Sequence, residues 1–500
     1  MGAKFETIML QDQNNSTICA QATALGQSAI AVIRVSGPRT FEIVSKVFAS
    51  RKGRRLEDMK GFTLCYGALH KEDGTMLDDA LLSVFRSPAS YTGEDMAEIS
   101  CHASPYIVSE LLRALVAYGC EYAAPGEFTR RAFVNGKMDL AQAEAVADII
   151  ASETEASHKI AINQLKGGFS KELAAMREQL LHIVSLMELE LDFSEEDVEF
   201  ADRSELRSLL GKASAHIGEL ISSFKLGNAI KNGVPVAIVG ATNTGKSTLL
   251  NALLGEDRAI VSSIAGTTRD TIEDTMNVGG ILFRFIDTAG IRRTMETIEI
   301  AGIERTYYKI KQASIVMLVL DYTRQDDFEE SVRNLIVNLG GGDQRVIILL
   351  NKIDEKPVVV TNLFEGRAPE SITPEENINK VCDIISGIAA ANNLTPLAIL
   401  PISAKKKIGL DELRNLLTHS QQDVSIGTES VLVANLRHYT ALKEASDSLL
   451  KATVALDERR PADLISQDIR EALYSIGTIV GEISTSEILE NIFSKFCIGK

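Results

Sequence analysis

The spacing of apolar residues changes character three times along the chain. From about residue 16 to 130, short β-rich runs such as Ala29-Ile30-Ala31-Val32-Ile33-Arg34-Val35 alternate with turn clusters, among them Ser36-Gly37-Pro38 and Glu72-Asp73-Gly74. That mixture predicts a compact α/β or α+β domain. From 126 to 234 proline is absent, and apolar residues recur three and four apart, as at Leu180, Ile183, Val184, Met187 and Leu191. Such a period marks the buried face of long helices. At Val234 the pattern switches to strand, glycine loop and helix, and this alternation persists to about residue 420. Residues 422–500 read as helix again, with Pro461 their one proline. The α/β unit is therefore expected as an insertion in a helical domain built from both flanking segments. The stretch 357–380, rich in Pro, Asn, Glu and Thr, reads as a loop excursion inside that insertion.

The chain ends on a further helical pattern. Ser484-Thr485-Ser486-Glu487 has the spacing of a capping box, with the Ser484 hydroxyl as the cap. Ile488, Leu489, Ile492, Phe493 and Phe496 then share one face. A docked helix is predicted almost to the terminus, leaving Cys497-Ile498-Gly499-Lys500 to reach at most about 13 Å at roughly 3.3 Å per residue. Gly499 and Lys500 suit a prenylation box poorly. A tail returning to a site, with Gly499 permitting close approach, is the better reading. Cys497 reads equally as a reactive thiol or a small buried hydrophobe.

Composition narrows the classes. A formal charge of −16 argues against a protein that coats nucleic acid through its overall field. The clusters Arg51-Lys52-Gly53-Arg54-Arg55 and Lys405-Lys406-Lys407 read as solvated surface. Cysteines 19, 65, 101, 120, 382 and 497 form no CxxC pair and no zinc spacing, which fits a reducing compartment. The opening Met1-Gly2-Ala3-Lys4-Phe5-Glu6 has no apolar signal core, and no run has the length of a membrane span. A cytoplasmic protein without a membrane partner is expected. His102 and His438 receive no role.

The inserted unit carries the chemistry. The strand Val236-Ala237-Ile238-Val239 leads into Gly240-Ala241-Thr242-Asn243-Thr244-Gly245-Lys246-Ser247, and Thr248 to Leu254 continues as helix. This is a GxxxxGK[ST] phosphate loop in its expected context. Its glycines let backbone N–H groups curl around phosphates, Lys246 reaches the β/γ oxygens and Ser247 takes Mg²⁺. Phe283-Arg284-Phe285-Ile286 feeds Asp287-Thr288-Ala289-Gly290, where Asp287 would hold Mg²⁺ through water and the Gly290 N–H would meet the γ-phosphate. Val346 to Leu350 feeds Asn351-Lys352-Ile353-Asp354. The Asp354 carboxylate can accept guanine's N1 and N2 protons, a pair that adenine does not offer. Ser403-Ala404-Lys405 fits the last base-contacting loop. These ordered elements predict a GTPase. The residue after DTAG is Ile291, which neither orients water nor supplies charge, so both must come from elsewhere.

Several further motifs accompany these: Arg34-Val35-Ser36-Gly37, Thr92-Gly93-Glu94-Asp95, Pro125-Gly126-Glu127-Phe128-Thr129-Arg130-Arg131-Ala132-Phe133, Asp139 to Ala145 (DLAQAEA), Gly266-Thr267-Thr268-Arg269-Asp270 and the terminal Phe496 to Lys500. With them the chain, from Thr17 to Lys500, resembles the tRNA-uridine-modifying GTPase family (MnmE/TrmE). The resemblance implies a multidomain fold of α/β plus all-α parts. It implies a flexible extension over 1–15, a tetrahydrofolate-binding and dimerisation domain over 16–130, and helical segments over 131–230 and 423–500. A Ras-like doubly wound GTPase domain over 231–422 would be inserted between them. It implies that K⁺ replaces an arginine finger, held by Asn243, Ser262, Ile264 and Thr267, and that GTPase domains dimerise during the cycle. Thr268 would join Ser247 on Mg²⁺, and Glu299 would orient the attacking water. Ser262-Ser263-Ile264-Ala265-Gly266-Thr267-Thr268 completes the GTP-binding set. Arg34, Glu98, Lys137 and Lys500 match folate-contacting positions for 5,10-methylene-tetrahydrofolate, with 5-formyl-tetrahydrofolate as an analogue. Without the resemblance, Glu299 reads as an exposed helix glutamate, and Arg34, Glu98 and Lys137 as surface charges.

The resemblance further implies a homodimer through the N-terminal domain and a heterotetramer with a flavin-dependent partner (MnmG/GidA-like). The pair would add an aminomethyl or carboxymethylaminomethyl group to C5 of a tRNA wobble uridine. Two departures stand out: Thr242 occupies a loop position that is usually proline, and the region 340–400 is longer than usual. An Era-like ribosome-assembly or regulatory switch GTPase is the alternative, although neither a KH-type GxxG loop nor a basic C-terminal domain is present.

Overall fold

The computed structural model describes residues 16–26, 28–192, 203–255, 274–286, 311, 313–339, 344–355, 374–420 and 431–499. The first elements are β1 (Thr17–Gln21), β2 (Ile30–Ser36), α1 (Thr40–Val47), β3 (Phe48–Ser50), β4 (Thr63–His70), β5 (Met76–Phe85), β6 (Met96–His102), α2 (Pro105–Ala117), β7 (Cys120–Tyr122) and α3 (Glu127–Val134). Helices α4 (Leu140–Ala151), α5 (Glu155–Leu165), α6 (Gly168–Asp192) and α7 (Arg203–Asn232) follow. Then come β8 (Val234–Val239), α8 (Lys246–Leu254), β9 (Asp274–Val278), β10 (Ile281–Phe285), β11 (Ile315–Asp321), α9 (Phe328–Asn338), β12 (Arg345–Asn351), α10 (Pro374–Ala391), β13 (Ala398–Pro401) and α11 (Leu410–His419). Last are α12 (Leu436–Asp457), α13 (Ala462–Val480) and α14 (Ser486–Phe493). The protein is multidomain, with α/β and helical parts. It forms two compact units, one of Met1–Ala151, Lys159–Ser222 and Leu436–Lys500, the other of Ser152–His158 and Ser223–Asn435.

In the first unit a sheet runs in the order β3-β4-β5-β6-β2-β1-β7, antiparallel except for the β1–β7 pair. Alternation decides its faces. Ile33 and Val35 of β2, Leu82 and Val84 of β5, and Ile99 of β6 pack with Phe41, Val44 and Leu111 of α1 and α2 in one core. The opposite face carries Arg34 paired in register with Glu98, Ser83 opposite Glu98, and Tyr66 opposite Leu81. Leu64, Tyr66 and Leu81 on that face are exposed. Among the helices, the predicted seam of Leu180, Ile183, Val184 and Met187 is buried; the side chain of Leu191 lies outside the described residues. Helices α4 and α6, before the main stretch of the second unit, and α12 to α14, after it, thus share one unit.

Two local expectations change. The cap of α14 is Thr485, whose hydroxyl accepts the Ile488 N–H at 3.3 Å, and not Ser484. Adjacent hydroxyls offered two frames, and α14 takes the later one, with Leu489 and Phe493 in a cluster with Leu140 and Ala143. In that frame the third helical residue is Ile488, so the carboxylate half of a capping box is lost. The helix ends at Phe493, and Phe496 is buried beyond it with the two rings 5.3 Å apart. The predicted loop excursion also ends early, because α10 already begins at Pro374. Proline's fixed φ suits a first helical position, and Glu375 and Glu376 favour the positive end of the helix dipole.

The second unit is a doubly wound sheet of order β13-β12-β11-β8-β10-β9, parallel apart from the β9–β10 hairpin. Every residue of β11 is buried, and six of the seven in β12 are buried too. That is why these strands read as continuous apolar runs. Leu249 of α8 and Leu413 of α11 cover one face, and Phe328 of α9 and Ile385 of α10 the other. The motif loops leave the carboxyl ends of β8 and β12, where ligands of such sheets bind.

Candidate active site

The loop after β8 is shaped by two glycines. Gly240 has φ +149°, and a Cβ there would lie 2.3 Å from the Val319 carbonyl. Gly245 caps α8 at φ +95°, where a Cβ would lie 2.3 Å from Asn351 Nδ2. Only glycine fits either position. Between them Asn243 holds φ +67° and is exposed beside Thr242, while the Thr244 hydroxyl donates to the Ala241 carbonyl at 3.0 Å. The Lys246 ammonium donates to the Gly240 and Ala241 carbonyls at 3.0 and 2.7 Å. Burial lowers its pKa, so an anion at the loop would favour the charged form. Ser247 and Thr248 stand in the first turn of α8, whose N–H groups and dipole suit phosphate.

Asn351, at the end of β12, ties this loop to the others. Its amide donates to the Thr244 carbonyl at 2.8 Å and accepts the Ala404 N–H at 3.0 Å. Beyond it, the Ser403 hydroxyl donates to Asp354 Oδ1 at 2.6 Å, with the Lys406 ammonium 4.0 Å from Oδ2. The Ser403 hydrogen bond is the main reason that Asp354 titrates below the ordinary carboxylate range. An ionised carboxylate is thereby oriented as a double acceptor. Lys405 to Lys407 are exposed, as predicted. The structure thus gathers Thr244, Gly245, Asn351, Asp354, Ser403 and Ala404 into one constellation.

A second constellation lies on the open face of the first unit's sheet. Arg34 donates from Nε and Nη2 to Glu98 Oε1 at 3.0 and 2.7 Å, and from Nη1 to the Gly499 carbonyl at 3.4 Å. Its guanidinium lies 5.3 Å from the Tyr91 ring and 5.5 Å from the Phe128 ring. The tail reaches this point along a fixed path. The Gly126 N–H donates to the Cys497 carbonyl at 3.4 Å, and Gly499, at φ +93°, passes so close to β1 that a Cβ would lie 2.3 Å from the Gln21 carbonyl.

The helical-domain model of the MnmE family matches residues 140–497, and the model of the GTP-binding protein TrmE N-terminus matches 17–137. A Parabacteroides distasonis protein named tRNA modification GTPase MnmE is 48% identical over 488 residues, covering 97% of this chain and all of that one. One of the same name from Bacteroides thetaiotaomicron is 47% identical over 496 residues, covering 97% of this chain and all of that one. The chain belongs to the MnmE family. It is a GTPase.

In this MnmE-family chain three of the motifs read from the sequence converge in space. Ser36 donates to Glu94 Oε2 at 2.7 Å and shares a 2.7 Å bond with Thr92. The fully buried Arg131 bridges Glu94 at 3.3 Å and Glu127 at 2.9 Å. This network fixes α3, and with it Phe128, beside Arg34. Lys137 goes elsewhere: its ammonium donates to the Pro88 carbonyl at 3.0 Å and its stem lies over Gly93, so it is held at that turn and does not join the Arg34–Glu98 pair. Cys497 is exposed, which is at odds with its reading as a buried hydrophobe. Ser262, Ser263, Ile264, Ala265, Gly266, Thr267, Thr268, Asp287, Thr288, Ala289, Gly290, Glu299 and Lys500 lie outside the described residues, as does the 1–15 extension.

Both unassigned histidines have partners. Exposed His102 bonds Asp78 at 2.8 Å. Buried His438 bonds Glu144 at 2.7 Å, and Arg437 grips the same carboxylate at 3.0 and 3.1 Å. Sequence reasoning missed Tyr91, Phe128 and Asp321. Phe128 left a signal, as part of the Pro125 to Phe133 motif, and Asp321 another, as a carboxylate closing the apolar run Ile315 to Leu320.

Proposed function

We propose that this MnmE-family enzyme couples GTP hydrolysis to modification of C5 of the wobble uridine in certain tRNAs. It would act with a flavin-dependent partner (MnmG/GidA-like) to add an aminomethyl or carboxymethylaminomethyl group. The observation that carries the proposal is the tail: Gly499 bonded to Arg34, beside Glu98, on the sheet of the first unit. A pure switch GTPase gives no reason to bring this segment to Arg34. The residues fit a folate: Glu98 suits the N–H donors of a pterin, Arg34 suits an anionic glutamate tail, and Tyr91 and Phe128 offer flat apolar surfaces. Methylene-tetrahydrofolate, when bound, supplies one carbon; these side chains bind and orient it.

The domain assignment follows: 16–130 as the folate-binding and dimerisation domain, 131–230 and 423–500 as the helical domain, and 231–422 as the GTPase domain. The exposed Leu64, Tyr66 and Leu81, on the same sheet face as Arg34 and Glu98, support a homodimer through the N-terminal domain. Among the described residues no helix is long and apolar enough to cross a membrane, which supports a cytoplasmic enzyme. For the ions, Ser247 in the first turn of α8 would hold Mg²⁺ with Thr268, and Asn243 would contribute to a K⁺ site with Ser262, Ile264 and Thr267. Glu299 would orient water.

The test is binding of 5-formyl-tetrahydrofolate by the full chain and by a version lacking the last four residues. Binding by the full chain and its loss on truncation are expected. Equal binding by both would remove the tail from the site, and no binding by either would favour the switch-GTPase reading.

A further inference from the structure

Lys352 stands between Asn351, which holds the phosphate loop, and Asp354, which is shaped to read the base. Its backbone is left-handed at φ +67°, and the side chain turns back toward the sheet. There the ammonium meets Asp321 Oδ2 at 2.6 Å. Asp321 ends β11, opposite Asn351 in the parallel register, and only 4% of its surface is exposed. Its other oxygen accepts the Thr323 N–H at 2.9 Å and the Thr323 hydroxyl at 2.7 Å. The neighbouring Tyr322 N–H donates to the Asn351 carbonyl at 2.9 Å, and the Tyr322 hydroxyl accepts from Asn377 at 2.9 Å. A buried carboxylate with all these partners is a fixed point, and Lys352 is moored to it.

We infer that Asp321 is a positioning residue for nucleotide binding: it holds Lys352 so that the lysine stem forms a preset wall of the guanine site. An unmoored lysine would sample many rotamers and would have to be ordered each time a nucleotide binds. Burial opposes the charge on Asp321, but the Lys352 ammonium and the Thr323 donors outweigh it and keep the carboxyl below its ordinary range. The pair is therefore ionic at neutral pH. The effect belongs to binding in general and leaves the hydrolytic step alone. It rests on reading Asn351 to Asp354 as the base site.

The experiment uses the full chain with Asp321→Asn, measuring KM and kcat for GTP and the Kd of GDP. The expected result is a rise of about tenfold or more in both KM and Kd, the scale of a lost charged hydrogen bond, with kcat within about twofold. A purely structural role would lower the thermal midpoint or kcat and leave KM unmoved, and that result overturns the inference. If Asp321→Asn folds poorly, Lys352→Met and the double variant Asp321→Asn/Lys352→Met decide, since the double variant leaves no unpaired buried charge. The double variant should bind GDP no worse than Lys352→Met alone; a further loss of threefold or more shows that Asp321 acts other than through Lys352. Asp354→Asn serves as control: a shift of preference toward xanthine nucleotides supports the base-site reading on which the inference stands. Its absence defeats that reading, and the inference with it, whereas a normal shift beside an unchanged Asp321→Asn KM defeats the inference alone.

Discussion

Replacing Gly499 with alanine tests the tail with the least possible change of mass and none of charge. At φ +93° an alanine carries the strain of the left-handed region, about 1–2 kcal/mol. Its Cβ would also lie 2.3 Å from the Gln21 carbonyl and 3.0 Å from the Ala22 Cα. These are backbone atoms, and Gln21 is held in β1 by its pairing with Ile33. The tail must therefore withdraw, and with it goes the bond from Arg34 to the Gly499 carbonyl, about 1 kcal/mol for so long a contact. Together these weaken docking by about 2–3 kcal/mol, roughly 30- to 150-fold in the docking equilibrium. Hydrogen exchange reads this directly at the Gly126 amide, which donates to the Cys497 carbonyl. Its exchange should accelerate, 5-formyl-tetrahydrofolate should bind at least tenfold more weakly, and kcat for GTP should stay within about twofold. Unchanged protection at Gly126 would refute the argument from close approach. Accelerated exchange with unchanged folate affinity would separate the docked tail from ligand binding.

Three other outcomes are expected. Asn351→Ala leaves the Thr244 carbonyl and the Ala404 N–H without their partner, a loss of about 2–4 kcal/mol; a fluorescent GDP titration should show Kd raised by about 30-fold or more, and a change below threefold would contradict the bridging role. GTP turnover should be much faster in KCl than in NaCl, and Glu299→Ala should slow it with GTP binding nearly intact; equal rates in the two salts would dispose of the potassium site, and an unchanged variant would dispose of Glu299. Finally, burial of Glu144 opposes its charge, but His438 and Arg437 outweigh burial and depress its pKa from 4.5 to about 2. A depressed carboxyl stabilises the fold above its unfolded pKa and loses that contribution as pH falls toward its folded one, so about 3 kcal/mol present at pH 7 should fade between about pH 4.5 and 2. Denaturation of Glu144→Gln against the parent should show a gap at pH 7 that narrows below pH 4.5, and a gap independent of pH would exclude the ionic account.

What could be read from the sequence was whatever local period and local stereochemistry determine. The apolar runs of β11 and β12 could only be strands buried on both faces. Gly240 and Gly245 sit where a phosphate loop needs backbone with positive φ and no side chain. Choices between equivalent local options were not legible. Ser484 and Thr485 are both good caps, and no local signal separates them. Pro374 reads as loop from composition, yet it suits the first turn of a helix once α10 has a core to pack on through Val381 and Ile385. Least legible were partners distant along the chain. Glu144 and His438 are separated by 294 positions, and neither residue's surroundings in sequence name the other.

Gly499 shows where that boundary falls. Gly499, following a helix with an apolar face, permits an approach too close for a side chain. The sequence does not contain the identity of what is approached, because the Gln21 carbonyl is set by the pairing of β1 with β2 at the other end of the chain. The pairing of β2 with β6 turns Arg34 outward, in register with Glu98. Strand β2 therefore joins two registers, one fixing the surface that the tail must clear and the other the side chain that holds it. A substitution that shifted the β2–β6 register by one residue would turn Arg34 to the face away from Glu98. It should abolish tail docking without touching a single tail residue.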